Sequence, residues 1–489
     1  MIIVNPEFHR YLWLKFSPFR LAVMPIILAL ILYIGSSSDY VFLGYWQASL
    51  FLPAVYTFFV VVFLWGGYEA ASASNSDVGL NTWDFQKMSA LGPWDIVIGK
   101  LFGSTSYTWY AGFLLIGVIL FSYPYLDEVG YLKELKQAFP SSLSLIMYLV
   151  FAGVMGHASA FLFGTQNLRQ KKTGAGIPFI LGFIVSSTVF SLTIGGDLDA
   201  QNINDTDLID WHMFELSSYT AIISSLLFFL FWIIMAIQRN IREELQFRNS
   251  PIVLMAFLVT FSIYVTGFMD NSWDRHLPDM IQNITAKFIV AFFIIMAGTY
   301  FTVFMESAGL AKYRRWFYAF KNKEWKRFLE NTPGWVGATL LLIPVYLVAN
   351  IGWVLFFDEG AFVQRMTREL DGIPILPVTT AMILFTMRDG LVFHSILLGR
   401  VEKHKGFLLV LYFIMAYGLL PFFVTSMIEN MDIGRADRED VLLNAMLYFY
   451  PVGGPEFFAG VLPVLAQVLI AFLVFRFSVG GLKTQESAR

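Results

Sequence analysis

Long apolar runs separated by short polar breaks organise this 489-residue chain. A run of roughly 20 apolar residues is the length at which a helix crosses a bilayer core. Lipid offers no partner to backbone N–H and C=O groups, so helices, which satisfy them internally, are the expected spanning element. The runs are too long and unbroken for barrel strands. Twelve spans are predicted, over about 19–35, 46–66, 105–123, 142–164, 175–195, 219–238, 251–268, 285–305, 334–357, 375–398, 407–426 and 457–475. The tenth departs most from the pattern, because it contains Arg388 and Asp389.

The basic residues set a direction. With the N-terminus in the cytoplasm, cytoplasmic segments hold 24 Lys and Arg and external ones 7, leaving aside Lys287 and Arg388 inside spans. That is a strong positive-inside bias, and it puts both termini in the cytoplasm. External segments are acidic, as in GGDLDAQNINDTDLIDW (195–211). That stretch lacks the glycine of a calcium loop and reads as a solvated connection. The fold class expected is an all-α polytopic protein integral to a cell membrane, with a bacterial inner membrane as the expected location. Composition agrees: 57% of residues are hydrophobic and 14% charged, against about 25% charged in soluble domains. No Cys is present, which excludes disulfides, thiolate catalysis and cysteine metal sites. The six His form no close ligand cluster, so no metal is expected.

A repeat runs through the pattern. FHRYLWLKFSPFRL (8–21) aligns with IREELQFRNSPIVL (241–254) at an offset of 251 − 18 = 233. Leu12, Ser17, Pro18 and Leu21 fall on Leu245, Ser250, Pro251 and Leu254. Each segment precedes the first span of a six-span block. Two halves are read, 1–238 and 239–489, parallel because six is even; internal repeats of this kind are common in transporters. The first copy also reads as a helix. Asn5 is placed to cap it, Pro6 suits its first position, and Glu7 favours the positive end of its dipole. Phe8, Tyr11, Leu12 and Phe16 share one face, with Arg10 away from it, as in a helix lying in the membrane interface.

The polar break NTWDFQKMSALGPWDIVIGKLFG (81–103) is long and structured in its own right. Asn81 with Asp84 suggests a capped helix of about ten residues, closed by Gly92. Pro93 and Asp95 open a second helix, on which Gly99 and Gly103 have the spacing that permits close packing. The bar so formed is expected to expose Trp83, Phe85 and Met88 for docking on a partner. In the second half the corresponding break is ESAGLAKYRRWFYAFKNKEWKRFLENTPGW (306–335). There Trp316 aligns with Trp83 and Tyr318 with Phe85. Its basic cluster points to partner docking or anionic lipid rather than to nucleic acid.

Residues 81–103 resemble the loop between the second and third spans of ABC-2-type ABC-transporter permeases, through Thr82, Pro93, Gly99, Lys100 and Leu101. NPEFHRYLWLKFSPFRL (5–21) resembles the interfacial helix that opens those permeases. The likeness covers roughly 1–125. It implies that 81–103 holds a coupling helix, docked on a separate ATPase subunit. The ATPase-coupling residues would be Thr82, Trp83, Asp84, Phe85, Lys87 and Met88, with Arg315, Trp316 and Tyr318 in the second half. The second loop lacks the Gly-Lys-Leu entry. Two copies of the ATPase are implied as partners, with ATP and Mg bound there and no cofactor in this chain. Gly-Lys occurs only at 99–100 and is followed by Leu101, so no phosphate-binding loop is present.

Within the spans, Arg388 and Asp389 are the costliest pair. They are read either as charges lining a translocation path or as a local ion pair. His157 and His394 are read as single hydrogen-bonding groups between helices, with proton gating as the alternative. YFYPVGGPEFF (448–458) is read as a partly re-entrant or an interfacial external segment. The function expected is the permease subunit of an ATP-driven exporter. The alternatives are a twelve-span transporter driven by an ion gradient and, below it, a polytopic transferase. A facilitator of the second kind usually has a long central loop, whereas 239–250 is short. Lipid, peptide, drug and polysaccharide remain open as substrates.

Overall fold

Two Asn/Ser–Pro steps start the first helices. The Asn5 side chain accepts from the N–H groups of Glu7 and Phe8, and Pro6 takes the first position of α1 (Pro6–Lys15). Ser17 caps α2 (Pro18–Gly35) in the same way. The structure is a computed structural model. It describes residues 5–36, 46–89, 91–128, 139, 141–142, 143–170, 174–198, 208–247, 249–269, 277–306, 309–356, 375–398, 405–430, 441–442, 445–446, 448–450 and 457–480.

The next helix, α3, extends over Trp46–Gly79, 34 residues, with a turn at Leu50 near its start. It continues past the predicted end near 66 because Ala and Ser then fill its buried side. Its middle, Phe59–Trp65, is π-helical. There follow α4 (Trp83–Met88), α5 (Pro93–Ser104), α6 (Ser106–Ser122), α7 (Ser142–Gln170) and α8 (Gly176–Leu198). A short hairpin, β1 (Leu208–Trp211) and β2 (Phe214–Ser217), leads into α9 (Ser218–Glu244). The later part of the chain forms α10 (Ile252–Gly267), α11 (Leu277–Met305), α12 (Leu310–Lys321), α13 (Trp325–Asn331) and α14 (Gly334–Phe356). It closes with α15 (Ile375–Leu398), α16 (Gly406–Glu429) and α17 (Phe457–Gly480).

Ten of the described helices are long and apolar enough to cross a membrane. Two shorter apolar helices, Gly176–Val189 within α8 and Ile252–Gly267, stand beside them. The chain therefore has the make-up of a helical, multi-pass membrane protein. It divides into two units: Met1–Asp210 with Phe214–Asn249, and Trp211–Met213 with Ser250–Arg489.

In the first unit α7 is central, packed by α3, α8 and α9. The approach to α3 is close: a Cβ on Gly164 would lie 2.7 Å from the Ala71 carbonyl oxygen. In the second unit α11 packs along α14 through Phe292, Ile295, Ala338 and Leu342, and α15 packs along α17. The segment aligned with α1, 241–254, does not repeat α1 as a separate helix. Ile241–Glu244 is the last turn of α9, and Gln246, at φ 62°, ends it. Ser250 and Pro251 do stand directly before α10, as Ser17 and Pro18 stand at α2.

Candidate functional site

The loop after α3 forms a bar, with a different local grammar from the one the sequence suggests. Asn81 does not cap the bar's helix. It takes a left-handed conformation, φ 56°, and terminates α3, a role Asn tolerates better than most residues. Thr82 folds back on the same helix: its N–H reaches the Asp77 carbonyl at 2.9 Å and its hydroxyl the Asp77 carboxylate at 3.2 Å. Only six residues, Trp83–Met88, then form α4, about 9 Å of helix rather than the roughly 15 Å expected. Pro93 opens α5 as predicted, and the Asp95 carboxylate accepts from the Gly92 N–H at 3.2 Å.

Trp83 points inward, which corrects its expected place on the docking face. It is 4% exposed, with the Lys100 ammonium 5.3 Å from its ring centre. An indole beside a buried cation and the apolar side of α5 gains more there than in water. Phe85 and Met88, 71% and 76% exposed, do face outward. Asp84 is exposed too and pairs with half-buried Lys87 at 3.0 Å.

Beneath α4 lies a buried charge cluster. Lys100 donates to the Asp77 carboxylate and lies 3.8 Å from that of Glu7. Arg10 holds both Glu7 oxygens, at 2.7 and 3.0 Å, and reaches Asp77 at 3.6 Å. Lys100, Asp77 and Glu7 are all buried. Burial pushes the Lys100 ammonium down to about 7; the Glu7 carboxylate opposes that shift and the Arg10 guanidinium adds to it. The cluster forms because α1 lies directly on α5. A Cβ on Gly99 would come within 2.7 Å of the Glu7 Cβ, and one on Gly103 within 2.8 Å of the Tyr11 Cβ. The Asn5 side chain donates to the Asp95 carbonyl at 2.8 Å. The closely spaced glycines carried this signal in the sequence. Asp77 and Glu7 as partners of Lys100 carried none, since they lie 23 and 93 residues away.

The loop of the second unit is a helical hairpin, α12 and α13. Arg315 and Tyr318 are exposed. Trp316 is half-buried: it stacks on Phe328 at 5.5 Å and donates to the Thr332 hydroxyl at 3.1 Å. It therefore closes the hairpin rather than presenting a docking surface. Tyr313 is buried, with its hydroxyl accepting from the Trp335 indole at 2.9 Å. Glu306 accepts from Lys312 and from the Trp335 N–H.

The Arg388–Asp389 pair lies inside the second unit, saturated with partners. Arg388 donates to Asp389 at 2.9 Å, to the Gln467 side-chain oxygen at 2.7 Å and to the Tyr417 hydroxyl at 2.6 Å. Asp389 accepts from Tyr300 at 3.0 Å, from Tyr412 at 2.6 Å and from Tyr417. Tyr412 and Tyr417 reach the same carboxylate because α16 is π-helical over Met415–Leu419, which brings residues five apart onto one face. The pair borders two cavities. Arg388 lines one of about 580 Å³ with Tyr412, Tyr448 and Gln467. Asp389 lines one of about 320 Å³ with Tyr300, Phe385 and Tyr417. Gln467, the one amide in its apolar span, was the available signal for this network; the tyrosines, common throughout the chain, gave none.

His157 belongs to the first unit. Its Nε2–H donates to the Val62 carbonyl at 2.6 Å, in the π-helical stretch of α3, and its ring meets Trp109 edge-on at 5.6 Å. That is the helix-bridging geometry. His394 stacks on Trp335 at 5.3 Å, and neither of its ring nitrogens has a hydrogen-bond partner. Among the described residues no three His, Asp or Glu side chains group as metal ligands. Residues 199–207 of the acidic stretch and 451–456 of the Pro-Gly segment lie outside the described residues. No protein-family model, curated protein or solved structure matches this chain.

Proposed function

We propose that this chain is the membrane permease subunit of an ATP-driven exporter of the ABC-2 kind, built as two six-span halves and worked by separate ATPase subunits. One observation carries the reading: α4 presents Phe85 and Met88 outward while Trp83, at its start, packs against Lys100, a member of the cluster that joins α1, α3 and α5. A short apolar surface on a rigid root is suited to transmit force. Large exposed apolar groups favour a protein groove over water. Arg315 and Tyr318 on α12 would offer a second handle. The Lys100 cluster would keep each movement of α4 coupled to α1 and α5 rather than absorbed in the loop.

A second reading rests on a different observation. A buried Arg–Asp pair bordered by two cavities is what a gradient-driven transporter would place on its path.

One experiment separates them. Met88→Cys is the sole cysteine in the chain and serves as a cross-linking probe in the full assembly purified from native membranes. The exporter reading expects a cross-link from residue 88 to a nucleotide-hydrolysing subunit. It also expects Phe85→Asp with Met88→Asp to weaken that association roughly thirtyfold, the worth of about 2 kcal/mol at a docking hot spot. A purified chain that moves solute alone on an ion gradient would overturn it in favour of the second reading.

A further inference from the structure

The two polar loops carry opposite surface chemistries. Around α4 the exposed residues Asp84, Phe85 and Met88, with half-buried Lys87, sum to no net charge. Residues 310–331 hold seven Lys and Arg against two Glu, a net charge of 7 − 2 = +5. At the turn of that hairpin Phe320, Trp325 and Leu329 are each more than half exposed, among exposed Lys321, Lys323 and Lys326. The Phe320 and Trp325 rings meet edge-on at 6.4 Å, so the apolar surface is a continuous patch.

The hairpin cannot stand far from the membrane. Tyr313 and Phe317, one helical turn apart, both contact Phe475, at 5.1 and 6.4 Å. Leu398 and Val479, the last residues of two candidate spans, belong to the same cluster. So α12 lies across the end of the second unit's helices. The hairpin as a whole, Leu310–Asn331, begins and ends within a few residues of α11 and α14 in the chain.

We propose that the α12–α13 turn is a lipid-docking element that seats in the headgroup layer of an anionic leaflet, with Phe320, Trp325 and Leu329 inserted and the lysines on phospholipid phosphates. Amphipathic segments with basic and aromatic residues partition there, and each basic residue near such a surface strengthens binding roughly fivefold. A protein groove fits the patch less well, because it would have to neutralise five charges as well as cover three apolar side chains. The proposal holds whether or not an ATPase grips α4.

The chain lacks native cysteine, so Trp325→Cys carries a nitroxide cleanly, with Met88→Cys as the reference. Both are read in nanodiscs of phosphatidylcholine alone and with one-third phosphatidylglycerol. The expected result is a label at 325 shielded from a water-soluble relaxation agent only in the anionic discs. High salt, or Lys321→Glu, Lys323→Glu and Lys326→Glu together, should return it to water, while the label at 88 stays aqueous throughout. A label at 325 equally aqueous in both lipids overturns the proposal. So does one equally immersed in both, or one shielded only when a partner protein is added.

Discussion

Lys100 is the most exacting residue in the first unit. A buried cation tolerates its site only while its counter-charges hold, and removing one member of such a set costs about 3–5 kcal/mol. Lys100→Met should therefore lower stability by about that much, and Asp77→Leu should do the same. The double substitution should recover much of the loss, because an apolar pair leaves no stranded charge. Denaturation of all four forms in detergent checks this as a double-mutant cycle. The pH dependence has a definite sign. Lys100 titrates near 7 in the folded chain and near 10.4 when unfolded. Between those values the unfolded state holds the extra proton, so stability rises with pH across the window, by up to about 1.4 kcal/mol per unit. Below about pH 7 both states are protonated and the contribution is flat. Comparing the melting of the parent and Lys100→Met from about pH 6 to 10 isolates it; a difference that shrinks with rising pH would contradict the buried site.

At the scale of elements, α1 and α4 differ in what secures them. α1 is held by backbone proximity, since Gly99 and Gly103 let Glu7 and Tyr11 lie directly on α5. Gly103→Leu should displace α1 and cost about 1–3 kcal/mol, the usual range for overpacking, with new proteolysis between α1 and α2 as the readout. α4 is held by one ring. Trp83→Ala should cost about 3–5 kcal/mol as a core truncation, whereas Phe85→Ala should stay within about 0.5 kcal/mol. Thermal unfolding of the two variants side by side distinguishes root from handle. Equal losses would mean that α4 packs as a whole. The same division explains why the sequence misjudged Trp83. Six residues make under two turns, and periodicity that short does not say which side is inward.

At the scale of the molecule, ten long apolar helices and two shorter ones among the described residues leave the number of crossings to be tested by labelling. If both shorter helices span, residue 213 faces the side opposite residues 85 and 323. Cysteines introduced singly at Met213, Phe85 and Lys323 and labelled with an impermeant reagent on sealed vesicles check this. Twelve crossings expect Met213→Cys to react from the outside and the other two only after permeabilisation. Reaction of all three from one side would mean that neither α8 nor α10 crosses.

The helical class, nearly every helix centre, the Asn5 cap, the Pro93 start and the paired glycines of α5 were legible in the sequence, because each rests on apolar length or on contacts a few residues apart. The structure alone decided that Trp83 turns inward onto Lys100, that Trp316 closes its hairpin, and that Arg388 and Asp389 meet three tyrosines and a glutamine. Those outcomes depend on which helices become neighbours. A buried charge or ring is satisfied by whatever the fold brings to it, here from 12 to 93 residues away, and no local pattern along the chain encodes that choice.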